Sequence, residues 1–364
     1  MTMSGEVPAV QVVAVMGACG PERKDFAAAL AQRRGAVLLQ ADRLATDETA
    51  LDSALRLLRL VPDRPELVVE YPLASAITEV IGSLTASDGL SGLDRDHGPQ
   101  PQLTEVICVV DAAHLLDDLA SDDYVVLEAD QHGRHPGELA YVCRAEVIVK
   151  QIEYASTVMM VNWRLIDPGE LAILVALVAH LSPHAQVRFS GDPGARTLRS
   201  KVPGYSGEES RAGWTCLLNG DFQPRHRHAR VSAFRYEQLR PFHPGRLKQL
   251  LDLRVEVEEF GRVIRSAGFA RLATRGHITA QWEHIGQIIS LAPLAFDHQV
   301  EDPEEMLAFG QDIAFIGMDL DAEGLTAALD EATLTDVELT DGPQLWRTFS
   351  DPFPVWESVT EAED

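Results

Sequence analysis

The residues best placed to do chemistry begin at Gly17-Ala18-Cys19-Gly20-Pro21-Glu22-Arg23-Lys24, directly after the apolar run Ala9 to Val15. A buried strand, a glycine turn and a helix make an anion seat, because N–H groups at the helix start and the helix dipole attract phosphate. A working phosphate loop, G-x-x-x-x-G-K-[ST], would set glycine at Glu22, lysine at Arg23 and a hydroxyl at Lys24. Glu22 instead adds a carboxylate and forbids the close backbone approach that glycine permits. Arg23 keeps positive charge in a larger, more spread form. Lys24 removes the hydroxyl that would hold magnesium. In a shifted frame, with Lys24 as the phosphate lysine, Asp25 offers no hydroxyl either. Gly17, Gly20, Arg23 and Lys24 are therefore candidates for a degenerate nucleotide site. An ordinary strand-to-helix turn is the competing reading.

Two histidines, His226 and His228 in Arg225-His226-Arg227-His228, could offer imidazole nitrogen to zinc. The flanking arginines repel a cation and no third ligand is close in sequence, which favours a basic surface patch. His243 is expected to cap the helix that starts at Pro244. No Ser-His-Asp or Cys-His arrangement assembles from local spacing. Cys19, Cys108, Cys143 and Cys216 lie far apart and read as small buried hydrophobes, not as a disulfide framework.

The elements that must position these residues alternate between strand and helix. Strands are predicted at 9–15, 36–39, 66–70, 104–110, 157–161 and 186–189. Helices are predicted at 25–34, 49–60, 75–84, 138–155 and 167–181. Such alternation implies an α/β domain with a parallel sheet covered on both faces. Apolar strands run up to Glu70, Asp111 and Asn162. The Gly-, Ser-, Asp- and Pro-rich stretch 85–102 reads as a surface loop. Residues 1–190 form the first predicted domain and 191–227 a linker whose composition suggests partial disorder. A small α+β domain spans 228–356, with strands at 231–239, 262–272, 278–291 and 312–318 and helices at 244–253 and 322–331. An acidic tail covers 357–364.

The chain has 364 residues and a formal net charge of −25, which argues against generic DNA or RNA coating. No apolar stretch is long enough for a membrane span and no basic leader precedes the first strand, so a cytoplasmic protein is expected. The charge is uneven. From Arg225 to Arg275 there are 12 Lys or Arg against 5 Asp or Glu, and from Ala295 to Asp364 there are 19 acidic residues against Arg347 alone. Such asymmetry could steer a partner onto one face, with Arg225, Arg227, Arg230, Arg235, Arg240, Arg246, Arg262 and Arg265 as the candidate surface. Plain solvated surface is the alternative.

The second domain carries Arg240-Pro241-Phe242-His243-Pro244-Gly245-Arg246-Leu247 and then Gly261-Arg262-Val263-Ile264-Arg265-Ser266-Ala267-Gly268-Phe269. Phe315-Ile316-Gly317-Met318-Asp319-Leu320-Asp321, Leu334-Thr335-Asp336-Val337-Glu338 and Asp351-Pro352-Phe353-Pro354-Val355-Trp356 follow. Together, in this order, they resemble the CobW C-terminal domain. The first half then aligns with that family's P-loop GTPase domain. The resemblance implies GTP and magnesium as cofactors and zinc or cobalt as cargo. It matches Glu70 and Asp111 to the family's acidic strand ends and Asn162 to the first residue of its guanine-reading Asn-Lys-x-Asp. Here that motif reads Asn162-Trp163-Arg164-Leu165, without the aspartate. The family's Cys-x-Cys-Cys metal motif is replaced by ADRLATDETA at 41–50. Within the family, the chain resembles the actinobacterial branch that recruits a ribosome-hibernation factor when zinc is scarce. The resemblance thus implies a binding protein of zinc homeostasis with a ribosomal or hibernation-factor partner. An active GTP-dependent metallochaperone is the other reading, with Arg23 or Lys24 on phosphate and His226 and His228 helping to bind zinc.

Overall fold

The computed structural model describes residues 10–47, 49–59, 66–85, 101–128, 139–191, 205, 212–296 and 310–356. The chain divides into two units, 1–212 with 224–227, and 213–223 with 228–364.

In the N-terminal unit the elements run β1 (Gln11–Met16), α1 (Gly20–Arg34), β2 (Val37–Leu39), α2 (Ala41–Leu44), α3 (Ala50–Arg59), β3 (Glu66–Glu70) and α4 (Ile77–Thr85). They continue with β4 (Gln102–Asp111), α5 (Leu115–Ala120), β5 (Tyr124–Glu128), β6 (Leu139–Cys143), α6 (Arg144–Glu153), β7 (Thr157–Val161), α7 (Pro168–Leu181) and β8 (Gln186–Phe189). Six strands form one parallel sheet in the order β2-β3-β1-β4-β7-β8. Both faces are covered, so the central strands are largely apolar; every residue of β7, TVMMV, is buried. Val13, Val15, Val68, Val109 and Met159 pack with Phe26, Leu30 and Ala31 of α1. Val12, Ala14, Met16, Leu67 and Val69 share the other cluster with Leu55 of α3 and Ile77, Val80 and Leu84 of α4. α7 starts cleanly because the Asp167 carboxylate accepts from Gly169 N at 2.8 Å and Pro168 fills the first turn.

The predicted helix 138–155 is corrected in its first part. Residues 139–143 form β6, which pairs antiparallel with β5, and α6 begins only after the extended Cys143. The alternating pattern Leu-Ala-Tyr-Val-Cys found a strand partner, and pairing overrode its fair helix propensity.

The C-terminal unit contains α8 (Gly213–Asn219), β9 (Val231–Gln238), α9 (Pro244–Leu250), β10 (Arg262–Ala270), β11 (Ile278–Ile285), β12 (Ile288–Phe296) and β13 (Gln311–Met318). α10 (Ala322–Ala332), α11 (Asp336–Asp341) and α12 (Pro343–Trp346) complete it. Its sheet is antiparallel, ordered β12-β11-β10-β13-β9. Phe242, Leu247 and Leu250 beside α9 and Leu325 and Leu329 of α10 cluster with Tyr236, Trp282, Ile313 and Phe315. The predicted single strand 278–291 is a hairpin, β11 and β12, turning at Gly286 with φ +58°. The stretch 191–227 is not one uniform connector. α8 packs on β9, β10 and β13, with Cys216 fully buried, whereas 224–227 groups with the N-terminal unit. Seven residues are too few to show a helical period.

Near the end of the chain, Arg275 holds residues 351–354. It donates to Asp351 at 2.8 Å and to the carbonyls of Phe353 and Pro354, and it lies over the Trp356 ring at 4.2 Å. The Trp356 indole donates to Leu291 O on β12 at 2.8 Å. Residues 86–100 of the predicted surface loop, 192–204 and 206–211 of the linker, and the 357–364 tail lie outside the described residues.

Candidate functional site

β3, β1 and β4 lie side by side, and the chain reaches β4 only by crossing over β1. That reversal opens a crevice at the carboxyl ends of the strands, where open α/β sheets take ligands. Four strand ends deliver the sequence-predicted residues to this edge: Gly17 after β1, Glu70 ending β3, Asp111 ending β4 and Asn162 after β7.

Position 17 must be glycine. Its φ is +138°, and a Cβ there would sit 2.0 Å from the Val109 carbonyl oxygen. Only 17–19 separate β1 from α1, because α1 begins at Gly20 and not near residue 25 as the sequence suggested. The helix bond from Arg23 N to Cys19 O, 2.8 Å, shows how early it winds. Residues that would encircle a phosphate as a loop are thus helical, and Pro21 has no N–H to offer.

Arg23 is buried and points inward. Its Nε donates to Glu70 Oε1 at 3.2 Å and its Nη1 donates to the Gly17 carbonyl. The second Glu70 oxygen accepts from Ala41 N at 3.3 Å. Lys24 is exposed and pairs with Asp42 at 3.3 Å. Both cations of the turn therefore have carboxylate partners from their own chain. Gly20 opens the helix, with nothing within 4 Å of where its Cβ would be.

Asp111 accepts from Ala113 N at 2.9 Å and from the Asn162 side-chain amide at 2.8 Å. Asn162 takes a left-handed conformation, φ +54°, which asparagine tolerates. Next to it, Trp163 donates to Ser190 O at 3.0 Å, packs at a tilt against Phe189 and lies under the Arg164 guanidinium. Leu165, where the aspartate of the guanine motif would stand, is exposed. Cys19 faces this edge, its thiol donating to Val109 O at 3.4 Å, and burial pushes its pKa up to about 12. A thiol so held is not a ready thiolate ligand.

The eight arginines expected to form a partner-facing surface behave differently from a patch. Arg230 is bidentate to Asp319 and Arg235 to Asp312. Arg240 reaches Asp336 at 2.6 Å, and Arg246 grips Glu338 and the Thr333 carbonyl. Arg262 pairs with Glu258 at 3.4 Å. Arg265 is 1% exposed, bonded to Glu283 at 3.0 Å and lying near the Trp214 ring. Only Arg225 and Arg227 remain as exposed cations for which no ion pair is found among the described residues. The basic and acidic stretches of the sequence clasp each other, which local spacing could not reveal.

The domain these pairs hold together matches a family model. Residues 231–333 fit the Cobalamin synthesis protein cobW C-terminal domain. The chain carries a CobW C-terminal domain. It is 23% identical over 342 residues to the zinc-regulated GTPase metalloprotein activator 1 of Dictyostelium discoideum, covering 87% of this chain and 68% of that protein. The Zn(II)-bound YjiA GTPase from E. coli is a similar solved structure, at 14% identity over 90% of this chain and all of that one, with a TM-score of 0.35.

His226 and His228 gain no third ligand among the described residues. His226 is exposed, and the His228 Nδ1 accepts from Arg230 N at 3.3 Å. Among the described residues no three His, Cys, Asp or Glu side chains converge as a ligand set. His243 caps α9 as expected, its Nδ1 accepting from Arg246 N at 3.3 Å. No described helix is long and apolar enough to cross a membrane.

Proposed function

We propose that this CobW-like chain is a zinc-homeostasis protein that works by contact and not by nucleotide turnover. One observation carries the reading: Arg23 fills the phosphate seat, bonded to Glu70 and to the Gly17 carbonyl. Magnesium and a guanine triphosphate do not fit these residues. No hydroxyl follows the cation position, the loop is wound into α1, and the amide of Asn162 is spent on Asp111. Zinc enters as the concern of the relative, a zinc-regulated activator by name. The Cys-x-Cys-Cys motif that the family resemblance implies has no counterpart at 41–50. The partner we propose is a protein, and the specific form is recruitment of a hibernation factor to ribosomes under zinc limitation. The paired arginines speak against an RNA-facing basic patch, since a guanidinium held by a carboxylate has little left for phosphate.

Calorimetry with GTP and magnesium tests the first half. No heat of binding is expected. Micromolar binding that Arg23→Ala with Lys24→Ala abolishes would restore the GTP-dependent metallochaperone. Ribosome sedimentation from zinc-starved cells tests the second half, and a chain that stays in the supernatant is not a recruiter.

A further inference from the structure

The feature least explained by packing is the two-stranded ribbon of β5 and β6. Tyr124 pairs opposite Cys143, and Val126 opposite Tyr141. No third strand among the described residues flanks it. Alternation along β5 puts Tyr124 and Val126 on one face, and cross-strand pairing puts Tyr141 there too. These three are 64%, 42% and 65% exposed, whereas Val125 and Val142 are half-buried on the opposite side. A lone two-stranded ribbon is marginal, and its open edges are templates for another strand.

The rim is acidic. Asp122 and Asp123 lead into β5, Asp117 lies one turn before them on α5, and all three are exposed. None is ion-paired among the described residues; Arg144, which opens α6, is committed to Asp118 at 3.0 Å. This is the reverse of the C-terminal sheet, where arginines answer the carboxylates. A second copy of a chain with net charge −25 is repelled at long range, so the face suits a partner of opposite sign.

We propose that the β5–β6 ribbon docks an extended basic segment of a partner protein. Aliphatic side chains of that segment lie over Tyr124, Val126 and Tyr141, while its arginines or lysines reach Asp122 and Asp123 and stack on the tyrosine rings. The inference rests on the contact reading for its biological sense. Its readout involves no nucleotide, so GTP binding would sink that reading and leave this result standing.

The test titrates the full chain with a short blocked peptide of alternating arginine and valine, followed by isothermal calorimetry. Binding is expected to weaken as salt rises from roughly 50 to 500 mM. It is expected to fall by about tenfold or more in Tyr124→Ser with Tyr141→Ser, and again in Asp122→Asn with Asp123→Asn. Should the tyrosine variant misfold by circular dichroism, Val126→Lys serves, placing a like charge on the same face and repelling the peptide. Absence of binding, or equal affinity in all variants, which would mean attraction to the net charge at large, overturns the proposal. So does self-association by sedimentation that these variants abolish, since a second copy would then be the occupant.

Discussion

Arginine is used in opposite ways in the two units. In the N-terminal unit Arg23, 7% exposed, lies beside Glu70 at 3%, in the turn after β1 where the sequence suggests a phosphate seat. In the C-terminal unit Arg230, Arg235, Arg240 and Arg246 lie at the rim of the sheet and tie β9 and α9 to β13, α11 and the strand ends. On the reading proposed above, the first pairing removes a site, because the guanidinium is already spent on Glu70 and the Gly17 carbonyl. The second builds a scaffold, because each pair joins segments far apart in sequence. Solvent separates them energetically as well: a carboxylate stranded inside protein is expensive, whereas one stranded at the rim is hydrated.

That contrast can be broken or sharpened by three measurements. Arg23→Ala should cause the largest loss, about 3–5 kcal/mol, because Glu70 is left buried with only the Ala41 amide. Urea unfolding checks it, and Arg23→Met with Glu70→Leu should recover most of the loss. A deficit below about 1 kcal/mol would place Arg23 in the rim class and dissolve the contrast.

Acid comes next. Burial holds His284 down at about 4 in the folded chain, against 6.5 when free. The unfolded chain therefore binds the extra proton first. The stabilisation is complete above pH 6.5 and is lost as pH falls toward 4, amounting to about 3 kcal/mol. Below that, Glu338, held at about 2 chiefly by its hydrogen bond to Arg246, gives up its own contribution as pH falls from 4.5. Urea midpoints of the C-terminal unit at stepped pH should show both phases, and His284→Gln should flatten the first.

The smallest effect belongs to Arg230→Ala. Its bidentate bond to Asp319 is solvent-exposed, and no resolvable change in thermal midpoint is expected in moderate salt. A clear drop would show that the rim pairs act as one network.

Much of this was legible beforehand. β3 and β7 fall where the apolar runs put them, since short runs rich in β-branched residues and buried on both faces favour a strand. Gly17 was singled out by the phosphate-loop pattern and Glu70, Asp111 and Asn162 by the family resemblance, and the parallel sheet brings the four to one edge. The start of α1 was not, because Gly20-Pro21 reads as a turn although proline is well suited to a first helical turn. β6 was merged into a helix because its partner, β5, ends at Glu128, outside the run itself. The arginine patch misled for a similar reason. Charge counted along the chain says nothing of what stands opposite in the sheet, and Arg235 meets Asp312 across 77 positions.

β12, Ile-Ile-Ser-Leu-Ala-Pro-Leu-Ala-Phe, is an outermost strand without a single charge. Naked edges of that kind recruit their like into fibrils, and Pro293 alone is a thin safeguard. The grip of Arg275 on 351–354, with Trp356 laid onto Leu291, therefore works as a sheath. Loosening it would endanger colloidal solubility long before it troubled the core.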